Sequence, residues 1–388
     1  MNPPPALLGE PALGLYVHWP YCERICPYCD FNVVRDRGRV QEQARLVEAI
    51  LIDMAAQARL TGPRNLVSVF FGGGTPSLMA PEAVAEILVA ARSLWTASPR
   101  LEVTLEANPT DAEASRFAAL AKAGVNRLSL GVQSLNDHAL RFLGRNHNAA
   151  AARRAAALAK DSFQRVSIDM IYGLPGQDLN TWTDDLTAGI ALGPEHISAY
   201  ELTIEAGTAF DRAVRRGAMN MAPQDRRADL FLSTQHILHG AGFDAYEVSN
   251  HAQGPDAQAR HNLVYWRGED YLGIGPGAHG RVTLMEGRWA LEAPRPIADY
   301  MARVAAEGVA CDRISLTPRE AALERLLMGL RTDEGVAMTD LAPLGLAASP
   351  DATHEGLLVI RSARLVATAR GRPVLDHLIG QLLADAGL

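Results

Sequence analysis

The chain has 388 residues, of which 48% are hydrophobic and 21% are charged. This is enough for one large barrel-type domain and a smaller second domain. Its 44 acidic and 37 basic residues give a net charge of −7, which provides no overall basic field for holding a phosphate backbone. The composition therefore argues against nucleic acid as the main partner.

The N-terminal segment, residues 1–14, is rich in proline and is predicted to be an extension. It lacks the charged stretch and following apolar run that mark a secretory signal. No uninterrupted apolar segment of the sequence approaches the ~20 residues that cross a bilayer. We therefore expect a cytoplasmic protein without a transmembrane segment.

From residue 15 to residue 201, short apolar runs alternate with longer segments of helical periodicity, which predicts β/α units and a parallel sheet. Six units in strict succession favour an α/β fold with a partial, TIM-like (β/α)6 barrel, although an open doubly wound sheet gives the same alternation. The predicted strands are residues 15–18, 66–71, 101–106, 127–131, 166–171 and 197–201. The predicted helices include residues 41–60, 81–94, 111–123 and 179–192.

Three of the four cysteines follow the first predicted strand at C-x3-C-x2-C spacing, as Cys22, Cys26 and Cys29. Cysteines clustered in this way argue against a disulfide framework and for metal or redox chemistry. A tight loop can turn three thiolates toward a 4Fe-4S cluster, which leaves one iron open to an outside ligand such as S-adenosylmethionine (SAM). The alternatives are a zinc site completed by His18 or Cys311, or three unligated thiols.

The second predicted strand runs into three successive glycines, Gly72, Gly73 and Gly74, followed by Thr75. Because glycine lacks a Cβ atom, the backbone here can approach a ligand closely, as the methionine end of SAM would require. An ordinary strand-to-helix turn would carry the same glycines, since the segment has neither a G-x-G-x-x-G nor a Walker pattern.

Polar residues stand at the ends of the next three strands: Glu106, Gln133 and Asp169. Ligand sites are assembled at the carboxyl ends of parallel barrel strands, so these side chains are placed to meet ribose hydroxyls and an adenine edge. Each of them alone could instead cap a helix or bind a loop. The prediction of a site depends on their convergence with the cysteine loop.

A later segment, residues 260–280, carries two histidines around an aromatic pair and a glycine-rich loop. His261 or His279 could be an axial haem ligand, with Tyr265 and Trp266 packing on the macrocycle. A histidine beneath a loop whose ring nitrogens are hydrogen-bonded to protein groups gives the same pattern. Lone histidines more often have such a structural role than serve as ligands.

Beyond about residue 281 the alternation stops, which divides the chain into residues 1–14, 15–284 and 285–388. The last part is predicted to be a small α+β module, winged-helix-like in its order of elements. Its first helix is supported by Thr317 and Glu320 at capping-box spacing. The predicted elements are a helix at 318–331, strands at 357–360 and 364–368, and a helix at 374–386.

Together these motifs resemble the HemN/HemW branch of the radical SAM superfamily, over residues 15–280. The matching segments are Tyr16-Val-His-Trp-Pro-Tyr-Cys22, the cysteine triplet, Gly72-Gly-Gly-Thr-Pro-Ser77, Glu106-Ala-Asn-Pro109, Leu128-Ser-Leu-Gly-Val-Gln133, Ile168-Asp-Met-Ile-Tyr-Gly-Leu-Pro175 and Tyr246-Glu-Val-Ser-Asn250. The resemblance implies a 4Fe-4S cluster on the three cysteines. It also implies SAM contacts at Tyr16, Tyr28, Gly73, Gly74, Thr75, Glu106, Gln133, Arg145 and Asp169.

Two groups within this branch differ in function. Coproporphyrinogen III dehydrogenases oxidatively decarboxylate a porphyrinogen, whereas haem chaperones of the HemW type bind haem and pass it to haemoproteins. The dehydrogenases typically carry a further cysteine two positions after the triplet and a long extension before it. Here Phe31 takes that position and 21 residues precede Cys22. Residues 261–266 resemble the HNxxYW signature of the chaperones.

The resemblance therefore implies a haem chaperone, with His261 as the candidate haem ligand. The implied partners are haem, a recipient haemoprotein, a second copy of the chain and, if SAM is cleaved to methionine and a 5′-deoxyadenosyl radical, an electron donor. The alternatives are the coproporphyrinogen III dehydrogenase and a zinc-binding structural protein.

Overall fold

A computed structural model describes residues 10–346, 356–385 and 387 of the chain. The first nine residues of the predicted extension and the last residue of the helix predicted at 374–386 lie outside them. The strands are β1 (Ala12–Trp19), β2 (Tyr21–Cys22), β3 (Val34–Arg35), β4 (Asn65–Gly73), β5 (Thr96–Ala107), β6 (Arg127–Gln133), β7 (Arg165–Tyr172), β8 (His196–Glu201), β9 (Asp244–Ala245), β10 (Asn250–Ala252), β11 (Asp270–Ile274), β12 (His279–Leu284), β13 (Gly287–Glu292), β14 (Asp312–Ser315), β15 (Val336–Ala337), β16 (Leu358–Arg361) and β17 (Arg364–Ala367).

Helices of both α and 3-10 type connect and cover these strands. The α-helices are α1 (Val40–Thr61), α2 (Pro81–Leu94), α3 (Asp111–Ala114), α4 (Phe117–Ala123), α5 (Asp137–Phe142), α6 (Ala149–Ser162), α7 (Leu179–Ile190), α8 (Ala209–Arg215), α9 (Gln224–Gly240), α10 (Arg260–Trp266), α11 (Ile297–Glu307), α12 (Pro318–Gly329) and α13 (Leu375–Asp385). Short 3-10 helices lie at Pro76–Leu78, Pro255–Ala257, Met338–Leu344 and Arg372–Val374. Within the described residues, no helix is both long enough and apolar enough to cross a membrane.

Six parallel strands form the centre of a 12-stranded sheet, in the spatial order β1, β4, β5, β6, β7 and β8. One or two helices lead from each strand to the next: α1, α2, α3 with α4, α5 with α6, and α7. The spatial order follows the chain order without the reversal that defines a doubly wound sheet. The predicted partial (β/α)6 barrel is confirmed, and each predicted strand overlaps an observed one.

The sequence of β1 shows how one strand builds both faces of the barrel wall. Leu13, Leu15 and Val17 are fully buried in the core between the sheet and its helices, because alternate residues of a strand point to the same face. Tyr16 and His18 consequently point to the opposite face, into the barrel. The same alternation along the other strands brings their polar carboxyl-terminal residues to one mouth of the barrel.

The sheet continues beyond the six strands on both sides. Strand β11 pairs in parallel with β1, and the antiparallel strands β12, β13 and β14 follow outward, while β10 and β9 extend the sheet from β8. The boundary predicted at residue 284 therefore falls inside the sheet, and Tyr300 and Val304 of α11 belong to the barrel core. Periodicity missed this continuation because antiparallel strands need no crossover helix.

The C-terminal module has a separate core, which includes Leu326 of α12 and Leu378 of α13. Its small sheet has the order β15-β17-β16, and β16 pairs with β17 as an antiparallel hairpin that turns between Arg361 and Arg364. The predicted combination of helices and a hairpin is confirmed. The core begins at Ala322, well after the predicted boundary.

The predicted capping box begins α12. Thr317 Oγ1 accepts a hydrogen bond from Glu320 N at 3.2 Å, and Glu320 Oε2 accepts one from Thr317 N at 2.8 Å. Because Thr317→Ala removes the hydroxyl, we expect the free energy of unfolding of this module to fall by ~1 kcal/mol in urea titrations. Thr317→Ser retains the cap and is the control. Identical unfolding of the alanine variant and the wild type would contradict the prediction.

Candidate functional site

A cavity of about 600 Å³ opens at the carboxyl ends of the parallel strands. Its wall combines the loop between β2 and β3, the end of β4 and the ends of β5, β6, β7 and β8. The predicted site residues in this wall are Cys22, Cys26, Tyr28, Cys29, Gly73, Gly74, Thr75, Glu106, Gln133, Arg145 and Asp169. Two predicted residues, Tyr16 and His261, lie outside it.

The cysteine loop, residues 22–34, is closed by the short parallel pair of β2 and β3. Val34 N donates a hydrogen bond to Pro20 O at 2.8 Å, which holds the two ends of the loop together. Inside the loop, Cys29 N donates to Cys26 O at 3.2 Å and forms a turn. Local backbone bonding thus brings residues at C-x3-C-x2-C spacing to one wall of the cavity.

Each of the three thiols has a polar neighbour, which for Cys29 is the backbone N–H of Phe31. Thr75 Oγ1 donates to Cys22 Sγ at 3.5 Å, and Arg145 Nη1 donates to Cys26 Sγ at 3.3 Å. Burial raises the pKa of the Cys22 thiol to about 11, so that a metal has to displace a proton from it. Among the described residues, no three His, Cys, Asp or Glu side chains are gathered closely enough to hold a single metal ion.

The two residues that could complete a zinc site make other contacts. His18 forms hydrogen bonds through Nδ1 with Tyr16 OH at 3.0 Å and through Nε2 with Asn32 O at 2.9 Å. Cys311 is buried in the barrel core beside Asp53 of α1. Neither residue is among those that line the cavity. The donor set at the cavity is therefore three thiols, which fits a cluster with one open iron.

Arg145, in the loop after α5, joins the cysteine loop to the barrel strands. Its Nη1 contacts Cys26 Sγ and also donates to Tyr28 OH at 3.5 Å. Its Nη2 donates to Gly131 O at 3.1 Å and to Asn108 Oδ1. Burial raises the pKa values of the Cys22 and Cys29 thiols, and the positive charge of this guanidinium partly opposes that rise.

Two carboxyl groups, those of Glu106 and Asp169, lie in the carboxyl-terminal halves of β5 and β7. Burial, reinforced by the charge of Asp169, raises the pKa of Glu106 to about 8. Burial also raises the pKa of Asp169, whose Oδ2 accepts a hydrogen bond from Ser129 Oγ at 3.2 Å. Glu106 Oε2 accepts one from Gly73 N at 3.1 Å. Carboxyl groups with shifted pKa values in a cavity are typical of a ligand site.

The backbone is left-handed at two cavity positions, Gly73 with φ +106° and Gln133 with φ +65°. A Cβ atom at Gly73 would lie 2.5 Å from His18 Cε1, so this position requires glycine. At Gln133 the left-handed turn coincides with an irregular register between β6 and β7. Such an irregularity redirects a side chain at a strand end, and here Gln133 lines the cavity.

Some cavity residues were missed in the sequence analysis. Asn108, Ser129, Tyr200 and Ser249 line the wall. Asn108 and Ser249 belong to matching family segments, which was an available signal. Ser129 and Tyr200 are inward residues of β6 and β8, and their side chains could be placed only with the strand register known.

His261 lies deeper in the barrel and is 1% exposed. Its Nδ1 forms a hydrogen bond with Ser68 Oγ at 2.9 Å and its Nε2 with Tyr265 OH at 2.8 Å. The ring stacks on Phe70 at a centroid distance of 4.8 Å, and burial lowers its pKa to about 3. Because both ring nitrogens are bonded and the ring is buried, this placement does not fit the predicted haem ligand.

The rest of helix α10 is equally engaged in packing. The Tyr265 ring makes an edge contact with Tyr271, and the Arg331 guanidinium lies 5.1 Å from the centroid of the Trp266 ring. Both rings therefore make contacts within the protein, and their predicted contact with a macrocycle stays a prediction. His279, the second candidate ligand, is 57% exposed at the start of β12, with Nδ1 3.8 Å from Glu292.

Known proteins resemble both parts of the chain. Residues 16–187 match the family model "Radical SAM superfamily", and residues 316–374 match "HemN C-terminal domain". The Bos taurus protein named "Radical S-adenosyl methionine domain-containing protein 1, mitochondrial" is 39% identical over 394 residues, covering 97% of this chain and 88% of that protein. The Haemophilus influenzae protein named "Heme chaperone HemW" is 42% identical over 281 residues, covering 71% of this chain and 72% of that protein.

A solved structure also matches most of the fold. Coproporphyrinogen III oxidase (HemN) from Escherichia coli superposes with a TM-score of 0.77, over 96% of this chain and 90% of that one, at 21% identity. At this identity the likeness concerns the fold, a barrel followed by a C-terminal module. The second family match begins at residue 316, directly after β14, where the structure also ends the barrel sheet.

Proposed function

Because the chain belongs to the HemN/HemW branch of the radical SAM superfamily, we propose that it is a haem chaperone that binds a 4Fe-4S cluster, SAM and haem. In this proposal it delivers haem to a recipient haemoprotein. The observation that carries the proposal is the 42% identity to a protein named heme chaperone HemW. Phe31 supports the same choice, since the dehydrogenases typically carry a cysteine at that position.

Cys22, Cys26 and Cys29 are the proposed cluster ligands. All three line one cavity, and the Arg145 guanidinium contacts Cys26, where it lowers the cost of gathering negative thiolates. When bound, the cluster supplies an open iron for SAM and a route for an electron to reach it. The electron donor is a further proposed partner, as is a second copy of the chain.

The polar residues at the strand ends are proposed to hold SAM. Glu106 and Asp169 line the cavity and are the proposed partners of the ribose hydroxyls. The backbone of Gly73 and Gly74, which also lines the cavity, is the proposed partner of the methionine end. Tyr16 has a supporting role in this proposal, because a Cβ atom at Gly72 would lie 2.8 Å from Tyr16 Cε2. Its ring therefore packs directly against the glycine segment.

Haem is the cargo in this proposal, and it is not assigned to His261, whose ring is buried and bonded at both nitrogens. The cavity mouth offers a different surface. Ile25 is 46% exposed and Phe31 is 60% exposed, and both line the cavity. Exposed apolar side chains of this kind suit a flat macrocycle, since burying them releases water from both surfaces.

Anaerobic reconstitution followed by haem titration and transfer to an apo-haemoprotein tests the proposal. We expect broad iron–sulfur absorption, stable haem binding and haem transfer in the wild type. Cys26→Ser is expected to lose the iron–sulfur absorption, because the cluster loses one of three protein ligands. Cys311→Ser is the matched control, since Cys311 is buried away from the cavity.

The alternatives predict different results in the same preparations. Sustained formation of protoporphyrinogen from coproporphyrinogen III, with SAM and a reductant, would overturn the chaperone proposal in favour of the dehydrogenase. Failure of the reconstituted wild type to bind haem would remove the basis of the chaperone proposal. A colourless, zinc-rich protein after anaerobic purification would favour the zinc-binding protein.

A further inference from the structure

Asn32, three residues after Cys29, connects the cysteine loop to the segments that follow β11 and β13. Its Nδ2 donates to Pro276 O at 2.9 Å and to Arg295 O at 2.8 Å. Both partners are carbonyl oxygens, which fixes the orientation of the side-chain amide. Pro276 lies in the turn between β11 and β12, and Arg295 follows β13. One short side chain thus connects the loop to two segments that are distant in sequence.

The backbone of Asn32 is held from a third direction. Its carbonyl oxygen is 2.9 Å from His18 Nε2, and because a carbonyl only accepts, Nε2 carries the proton. The other ring nitrogen, Nδ1, therefore accepts from Tyr16 OH at 3.0 Å. This defines the orientation of the imidazole between β1 and the loop. We call His18, Asn32 and the turn at residues 275–277 the loop clamp.

Glycines make the close packing of the loop clamp feasible. A Cβ atom at Gly277 would lie 2.6 Å from Asn32 Nδ2, and one at Gly275 would lie 2.5 Å from His18 O. Both glycines also have positive φ, +77° and +109°, which other residues rarely adopt. The glycine-rich segment after β11 is therefore shaped around the base of the cysteine loop.

The three cysteines are held by different contacts. Cys22 lies on β2 and is fixed by strand pairing. Cys26 is held by Arg145, and the neighbouring Pro27 O accepts a hydrogen bond from Phe210 N at 3.0 Å. On its outer side the loop is exposed or half exposed between residues 23 and 31. On its N-terminal side Cys29 is held by the turn with Cys26 and by Tyr28, whose hydroxyl accepts a hydrogen bond from Arg145 Nη1. On its C-terminal side the position of Cys29 depends on the anchoring of the chain at Asn32.

We propose that Asn32 is a positioning residue for the cluster, which sets the place of Cys29 relative to the other two thiols through the loop clamp. The inference rests on the proposed function, because it presupposes that the three cysteines hold a cluster. Loss of two side-chain hydrogen bonds at this point would free the Cys29 end of the loop. The apo-loop would then open more often, and a bound cluster would be released more readily.

Asn32→Asp and Asn32→Ala test this inference. Aspartate retains the size of the side chain but replaces the donor by acceptor oxygens that face two carbonyls, and alanine removes the group. We expect both variants to lose iron to a chelator about 10-fold faster than the wild type, with an altered EPR spectrum of the reduced cluster. In the cluster-free variants, amide hydrogen exchange is expected to rise in residues 22–35 and to stay unchanged in β4.

Asn146→Ala is the matched control, because Asn146 Nδ2 also bonds the cysteine loop, at Glu23 Oε2, but on the exposed surface. It is expected to behave like the wild type, since an exposed bond of this kind contributes little. Wild-type chelation rates and EPR spectra in both Asn32 variants would overturn the inference. Global unfolding of both variants would also overturn it, because Asn32 would then support the whole barrel. Absence of a cluster from the wild type would instead count against the proposed function.

Discussion

Glu106→Gln is expected to be more stable than the wild type at alkaline pH. Burial and the neighbouring Asp169 raise the pKa of Glu106 from 4.5 to about 8, so the folded protein binds this proton more tightly than the unfolded chain does. The resulting stabilisation is complete below pH 4.5, and is lost progressively as the pH rises through 8. The side-chain amide of glutamine has no charge to bury, and we expect the variant to avoid a loss of up to ~5 kcal/mol in the free energy of unfolding.

Urea unfolding of the cluster-free protein at several pH values between 6 and 9 measures this effect. The difference in free energy of unfolding between Glu106→Gln and the wild type is expected to grow with pH. Glu286→Gln is the control, because Glu286 is exposed in the turn between β12 and β13. If the free energies of unfolding of Glu106→Gln and the wild type changed in parallel with pH, the buried carboxyl would not titrate as described.

At neutral pH the buried Glu106 carboxyl destabilises the fold, so its presence in the cavity is not explained by stability. Glu106 receives one hydrogen bond from protein backbone, at Gly73 N, and the charge of Asp169 opposes its ionisation. Binding energy from a ligand with hydroxyl or amino donors would compensate this cost. The unfavourable electrostatics therefore support the proposal that SAM binds here.

The barrel was predictable because its strands carry a strong local signal. Each of the six runs is apolar, four of them are followed by a segment of predicted helical periodicity, and parallel strands must bring their carboxyl ends together. For this reason Glu106, Gln133 and Asp169 could be expected to meet at one mouth, and all three line the cavity. Their convergence follows from topology and needs no detailed side-chain geometry.

Segments with weak hydrophobic periodicity account for the errors in the predicted fold. Helix α6 buries a stripe of alanines, among them Ala152 and Ala159, which gives little apolar contrast along the sequence. The helix predicted at 111–123 is divided into α3 and α4. The pairing of β13 with β14 joins residues that are 20 or more positions apart, and the local periodicity of a sequence carries no information on such pairing.

The site contains contacts that depend on tertiary structure alone. Arg145 stands outside the matching motifs, and its contact with Cys26 depends on how the loop after α5 packs against the cysteine loop. Asn32 gives no sign in the sequence that it bonds residues beyond position 270. The burial of His261 likewise follows from the insertion of α10 between β1, β4 and β11, which adjacent aromatic residues do not reveal.

His261→Ala is expected to destabilise the barrel and to leave haem coordination unchanged. The substitution removes a buried ring that stacks on Phe70 and leaves Ser68 Oγ and Tyr265 OH without their imidazole partner. A cavity together with unsatisfied buried hydroxyls costs about 2–5 kcal/mol. Urea unfolding of the cluster-free chain measures the loss, and the absorption spectrum of the haem-loaded protein reports the axial ligand.

His279→Ala provides the comparison, since His279 is exposed and its removal is expected to leave the free energy of unfolding unchanged within ~0.5 kcal/mol. A double-mutant cycle between His261→Ala and Ser68→Ala should show coupling, because the two side chains share a buried hydrogen bond. A folded His261→Ala variant that has lost the wild-type haem spectrum would restore His261 as a haem ligand. In that case α10 would have to leave the barrel interior to expose the ring, and hydrogen exchange in residues 260–266 should rise when haem is added.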